Sequence, residues 1–205
     1  MAGTNDGKRL GRPATLDAPH ATILRAATLL FAEKGFSETS LMDIARAVGL
    51  SKAAVYHYFP TKQVIYEAIV VDLLQRLCAH VEDAISGGAM PTAERLRTMM
   101  RSHAAFFEAN YSEYVTLLHG VAGLSRVVSA EERAIRDRYE GLYRAVMAEG
   151  LSAGDLRVSD PATAARAVLS LLNWMTRWFD PKGPRRATAF AEDYFDIIAH
   201  GVLST

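Results

Sequence analysis

The stretch TSLMDIARAVGLSKAAVYHYFPTK, residues 39–62, decides how this chain is read. Ser40 and Asp43 stand three apart, the spacing of a capping box at a helix start. Ala45, Val48 and Leu50 give the helix that follows an inner face, and Gly49 breaks it. Ser51 caps another short helix, Lys52 to Phe59, because its hydroxyl can accept from the first free amides. Pro60 stops it, since the residue before a proline disfavours helical geometry. Two short helices joined through a glycine turn are the layout of a helix-turn-helix, whose second helix enters a major groove.

The side chains of that second helix suit the task. Lys52 reaches a base edge or a phosphate from the helix start, and Ala53 lets the backbone come close and can touch a thymine methyl. Tyr56 and His57 donate to phosphate oxygens, which fix position without reading sequence. Lys62 can neutralise a further phosphate, and the helix start at Ser40 offers backbone N–H groups to another. Helix pairs of this shape also occur as plain structural units, and Tyr56 and His57 also fit an ordinary solvated surface. Val55 and Phe59 are core on either reading.

Outward from this segment the chain is helix after helix, with no alternating pattern bounded by hairpin turns. Residues 1–16 form a polar, basic arm. Its Arg9 precedes, and its Arg12 belongs to, a Gly11-Arg12-Pro13 core suited to an A·T-rich minor groove, and equally suited to a plain basic tail. Asp17 and Pro19 start a helix with Ile23, Ala27, Leu30 and Phe31 on one face, ended by Gly35. Thr61 caps a long helix to about Ser86. Further helices run from Thr92 to Asn110, through Tyr114–Val121, from Ser129 to Gly150, from Pro161 to Phe179, and from Pro184 to Leu203. The expected fold is all-α with about nine helices. A basic arm (1–16) and a three-helix helix-turn-helix domain (17–62) precede a larger helical bundle (63–205).

Composition bounds the class. The 205 residues are half hydrophobic, which excludes intrinsic disorder. A lone cysteine, Cys78, forms no internal disulfide and points to a reducing compartment, so a cytoplasmic protein is expected. No apolar stretch follows the basic N-terminus as in a signal peptide. The most apolar run, residues 161–179, carries Arg166, Asn173 and Arg177, and reads as a buried helix and not a membrane span. Basic and acidic residues balance at 23 each, but unevenly along the chain. Residues 1–62 hold eight basic and five acidic side chains, so neutrality conceals a basic end suited to nucleic acid.

The bundle places polar groups on otherwise apolar faces: His103, His119, Tyr111, Tyr143, Asn173 and Arg177. Each needs a hydrogen-bond partner in the core or in a ligand. With Met99, Phe107 and Trp174 they suit an apolar cavity with a few orienting groups, and a histidine on such a face also serves as an ordinary core residue. His103 and His119 lie near Glu108 and Glu113, but no nucleophile elbow, metal-spaced cluster or phosphate loop accompanies them. No catalytic residue, metal or cofactor is expected.

Residues 23–70, ILRAATLLFAEKGFSETSLMDIARAVGLSKAAVYHYFPTKQVIYEAIV, resemble the N-terminal domain of the TetR family of bacterial transcriptional regulators. The resemblance rests on Phe31-x-x-x-Gly35-Phe36, Ile44-Ala45-x-x-x-Gly49, Tyr56-x-Tyr58-Phe59 and Thr61-Lys62. It implies a homodimer that binds a palindromic operator in double-stranded DNA and releases it when a small molecule enters the C-terminal domain. The matching DNA-contact positions are Ser40, Ser51, Lys52, Ala53, Tyr56, His57 and Lys62. It also implies a dimer interface made by helices 161–179 and 184–203. The segment LLNWMTRWFDPKGP, residues 171–184, resembles a C-terminal signature of TetR-type regulators of fatty-acid and steroid catabolism. That implies an acyl-coenzyme A or other lipid-like effector, with Arg177 and Trp178 near its entrance. An ion pair at the dimer interface would suit Arg177 as well. The alternative is a ligand-binding helical module with little DNA binding.

Overall fold

A computed structural model describes residues 17–122 and 128–200. Every regular element among them is helical: α1 (Asp17–Lys34), α2 (Leu41–Val48), α3 (Lys52–Tyr58), α4 (Lys62–Ala84), α5 (Thr92–Ala109), α6 (Tyr111–Ala122), α7 (Ala130–Ala153), α8 (Pro161–Trp174) and α9 (Ala187–His200). The helix starts follow their caps. The Ser40 hydroxyl accepts from the Asp43 amide at 3.1 Å while the Asp43 carboxylate accepts from the Ser40 amide at 3.0 Å. Ser51, Thr61 and Ser129 cap α3, α4 and α7 in the same sense, and Asp160 caps α8 with Pro161 at the first helical position.

Two apolar cores result. The first joins α1, α2 and α3 to the front half of α4 through Ile23, Phe31, Ile44, Val55, Phe59 and Tyr66. The second fills the bundle, around Leu73, Leu77, Met99, Phe107, Tyr143 and Leu172. The long α4 therefore belongs to both: Ile65, Ile69 and Val70 face the first core, and Leu73, Leu77 and Val81 the second. α6 makes the other main junction by packing along α1, and α5 lies on α9 while α7 lies on α8.

Three boundaries differ from the sequence expectation. α7 passes through Gly150 and ends at Gly154, which adopts left-handed φ of 79°. Gly150 sits where a Cβ would lie 2.6 Å from both Leu156 and Thr92, so it is a close-approach glycine and no terminator. α8 gives way at Met175–Arg177 to a turn of 3-10 helix. α9 begins at Ala187 and not at Pro184, with the Ala187 amide donating to the Glu108 carboxylate at 2.9 Å.

Candidate DNA-binding face and effector cleft

α3 turns Val55 and the following Phe59 into the first core and leaves Lys52, Ala53, Tyr56 and His57 exposed. That division follows from helical spacing: the outward residues occupy one side and the inward pair the other. The Lys52 ammonium lies 5.4 Å from the Tyr56 ring centroid, so cation and hydroxyl stand together on this face. Ser40 and Tyr56 border one notch of about 380 Å³ beside the start of α2. The Ser40 hydroxyl is engaged in its own cap, and hydrogen bonds to Asp43 hold that carboxyl below its ordinary value. The helix start nonetheless leaves further amide donors at the notch.

Lys62 sits differently from a free phosphate ligand. Its ammonium donates to the carbonyls of Phe36, Ser37 and Thr39 at 2.8, 3.0 and 2.9 Å. An ammonium has three protons, so its donor capacity is spent inside the fold. Arg9 and Arg12 lie outside the described residues, and so does the side chain of His119.

The ten residues marked for ligand binding do not form one site. Met99, His103, Phe107 and Tyr143 are core residues, none more than 1% exposed. His103 Nδ1 lies 2.8 Å from the Tyr139 hydroxyl, and His103 Nε2 has no partner among the described residues. Burial depresses the His103 pKa to about 4, so the ring is neutral at pH 7. Tyr111 donates to the Phe179 carbonyl at 3.2 Å and borders a different cavity. Trp178 packs edge-on against Phe190, 4.8 Å between centroids.

Asn173, Trp174 and Arg177 do converge. They line a cleft of about 550 Å³ between α4, α6, α7 and α8. Leu74, Leu77, Leu117 and Leu169 supply its apolar walls. The Tyr114 hydroxyl is buried there without a partner among the described residues, and burial pushes its pKa well above the ordinary phenol value. At the mouth Arg177 is exposed and lies 5.6 Å from the Trp174 ring, with no carboxylate partner among the described residues. Arg136 and Glu140, also on the lining, are ion-paired to Glu132 and Arg166. Tyr114, Tyr139 and the leucines escaped the sequence reading as site residues. Their spacing marks them as inward, and spacing does not separate an inward residue beside a void from one in packed core.

A second cavity, about 650 Å³, opens on the other side of α6, bordered by Leu24, Thr28 and Leu29 of α1 and by Tyr111 and Ser112. Arg76 closes its edge by joining Asp72, Glu113 and Asn110 across α4, α5 and α6. None of the described helices is long and apolar enough to cross a membrane.

A helix-turn-helix unit carried on a helical body with an internal cleft defines a class of one-component DNA-binding regulators. Residues 23–69 match the family model for bacterial regulatory proteins of the tetR family, and residues 89–202 match a tetracyclin repressor-like C-terminal domain. A solved structure of the TetR family transcriptional regulator PfmR from Thermus thermophilus is 44% identical. It covers 89% of this chain and 99% of that one, with a TM-score of 0.81. The chain belongs to the TetR family of transcriptional regulators. It is also similar to AibR, solved in complex with isovaleryl coenzyme A and operator DNA: 25% identity, 87% and 97% coverage, TM-score 0.77. The transcriptional repressor KstR2 of Mycolicibacterium smegmatis is 22% identical over 89% of this chain and 90% of its own length.

Proposed function

We propose that this protein is a cytoplasmic, non-catalytic repressor. On this reading it holds a palindromic operator as a homodimer and releases it on binding an acyl-coenzyme A or similar amphiphile. The observation that carries the effector class is the union of leucine walls with an unpaired guanidinium in one cleft. An apolar chain is stabilised inside, at about 0.8 kcal/mol per buried methylene. The Arg177 fork at the mouth matches a phosphate or carboxylate bidentately, and Trp174 adds a flat apolar surface beside it. AibR supports the reading, since it was solved with a thioester of this kind and with operator DNA.

On the DNA side, the proposed contacts are Lys52 and Ala53 to bases, with Ser40, Ser51, Tyr56 and His57 to phosphates. Arg9 and Arg12 are proposed to reach the minor groove. Residues 17–62 act as the DNA-binding domain and 63–205 as the sensing and dimerising one. Self-association along α8 and α9 accounts for Ile197, Ile198 and Trp174, which are exposed apolar residues of the single chain. Titration calorimetry with lauroyl-CoA tests the effector assignment. The reading expects saturable binding that weakens about tenfold in R177A. Equal affinity in R177A and wild type would remove Arg177 from the site, and no binding of any chain length from four to sixteen carbons would remove the effector class.

A further inference from the structure

Thr116 lies in the middle of α6, between the two cavities. We infer that its hydroxyl is a two-position latch that holds the DNA-binding unit in its operator-competent seat on the body. Thr116 is fully buried, and its Oγ1 lies 2.9 Å from the Thr28 carbonyl of α1 and 3.0 Å from the Ser112 carbonyl one turn back in α6. A hydroxyl carries one proton, so it donates to one carbonyl at a time. The bond to Thr28 crosses from body to DNA-binding unit. The bond to Ser112 stays within α6. Exchange between them never leaves the buried hydroxyl without an acceptor, so it avoids the penalty of an orphaned polar group. The two arrangements are therefore close in energy, which a switch requires.

The surroundings fit such a device. Thr28 and Ser112 both border the 650 Å³ cavity, so α1 has space beside it when the cross-bond is released. The same turn of α6 faces the effector cleft through Tyr114 and Leu117. The Leu117 carbonyl also accepts from the Tyr66 hydroxyl of α4 at 3.0 Å. One helical turn thus touches the cleft, α1 and α4. Displacement of α6 by anything that enters the cleft acts on the Thr116 proton directly. The latch rests on the operator-binding reading and is independent of which effector binds.

The test uses the full chain without effector. Thr116→Val keeps the shape and removes the donor, while Thr116→Ser keeps the donor. Hydrogen–deuterium exchange is measured across α1, with α7 as an internal reference. Affinity is measured for a duplex selected from a random library by the wild-type protein. The latch predicts α1 exchange about fivefold faster in T116V, the loss of one hydrogen bond, with α7 unchanged and T116S close to wild type. It predicts operator affinity down by a similar factor with an unchanged salt slope. Unchanged α1 exchange in T116V, or equal acceleration in α1 and α7, overturns it. If wild type selects no duplex, the operator-binding reading fails while the exchange arm still decides the latch. If T116V does not purify, T116S against T116A makes the same comparison, and equal α1 exchange in the two overturns the latch.

Discussion

The Lys62 ammonium caps the turn after α1: it sits 2.8 Å from the Phe36 carbonyl and 4.6 Å from the centroid of the Phe36 ring. The first residue of α4 thereby fixes the entrance to α2. Charge-assisted bonds of this kind are worth roughly 1.5–3 kcal/mol. Lys62→Met is expected to lower stability by about 2 kcal/mol in chemical denaturation. Its operator affinity should fall through misplacement of α2 and α3, leaving the slope of log affinity against log salt unchanged. Lys52→Ala should instead change which bases are preferred at the contacted position, as expected for a lost base contact. A reduced slope in K62M would return Lys62 to the phosphate-binding set.

How much of this was legible in the sequence differs between the two ends of the chain. The helix-turn-helix is written in local signals, since Ser40, Asp43, Gly49, Ser51 and Pro60 each act on backbone within one turn. Those signals located α2 and α3 to within a residue. The role of Lys62 was not legible, because its partners lie 23 to 26 residues upstream and are backbone carbonyls that no residue type advertises. The cleft between α4, α6, α7 and α8 was half legible. Asn173, Trp174 and Arg177 stood out as polar or bulky groups in an apolar run, and they do share a cleft. His103 and Tyr143 stood out by the same rule and are core. Their environment is set by tertiary packing of α5 against α7, which helical periodicity does not encode.

Two glycines separate backbone conformation from packing. Gly49 ends α2 at φ 69° with open space where a Cβ would go. Gly49→Ala should cost about 1 kcal/mol, from the left-handed backbone alone. Gly150 is helical, and alanine there gains helix propensity of nearly 1 kcal/mol. Its Cβ would nonetheless meet Leu156 and Thr92 side chains at 2.6 Å. Gly150→Ala should therefore destabilise by about 1–2 kcal/mol net. Thermal unfolding of both variants checks this, and a stabilised G150A would contradict the packing at the α5–α7 contact.

His103 makes stability fall in mild acid. Its ring has a pKa of about 4 in the folded chain, against an ordinary value of 6.5, because burial disfavours the cation. Below pH 6.5 the unfolded chain takes up a proton that the folded chain refuses, so unfolding gains favour as pH drops. The loss grows down to pH 4, where the folded form protonates too, and totals on the order of 3 kcal/mol. Denaturation midpoints between pH 4 and 7 should show this slope in wild type, and His103→Gln should flatten it. An identical slope in H103Q would place the titrating group elsewhere.

Tyr114 offers a sharper probe of the cleft than its walls do. Its hydroxyl is buried beside the apolar floor without a partner among the described residues, so a ligand carbonyl there would gain a hydrogen bond at no further desolvation cost to the protein. Tyr114→Phe should leave stability within about 1 kcal/mol of wild type, or raise it, since an orphaned polar atom is removed. Lauroyl-CoA affinity should drop about fivefold. Unchanged affinity would mean that the thioester carbonyl does not reach the floor.

On the proposed mechanism, occupation of the cleft and occupation of the operator weaken one another. The most direct measurement is operator affinity of the wild-type protein, at fixed salt, with and without saturating lauroyl-CoA, on a duplex selected by the protein. Coupling between the two sites of 1–3 kcal/mol would appear as a loss of roughly 5- to 150-fold in affinity. By linkage, the operator should weaken lauroyl-CoA binding by the same factor. Saturating binding of lauroyl-CoA in the cleft with operator affinity unchanged would contradict the account.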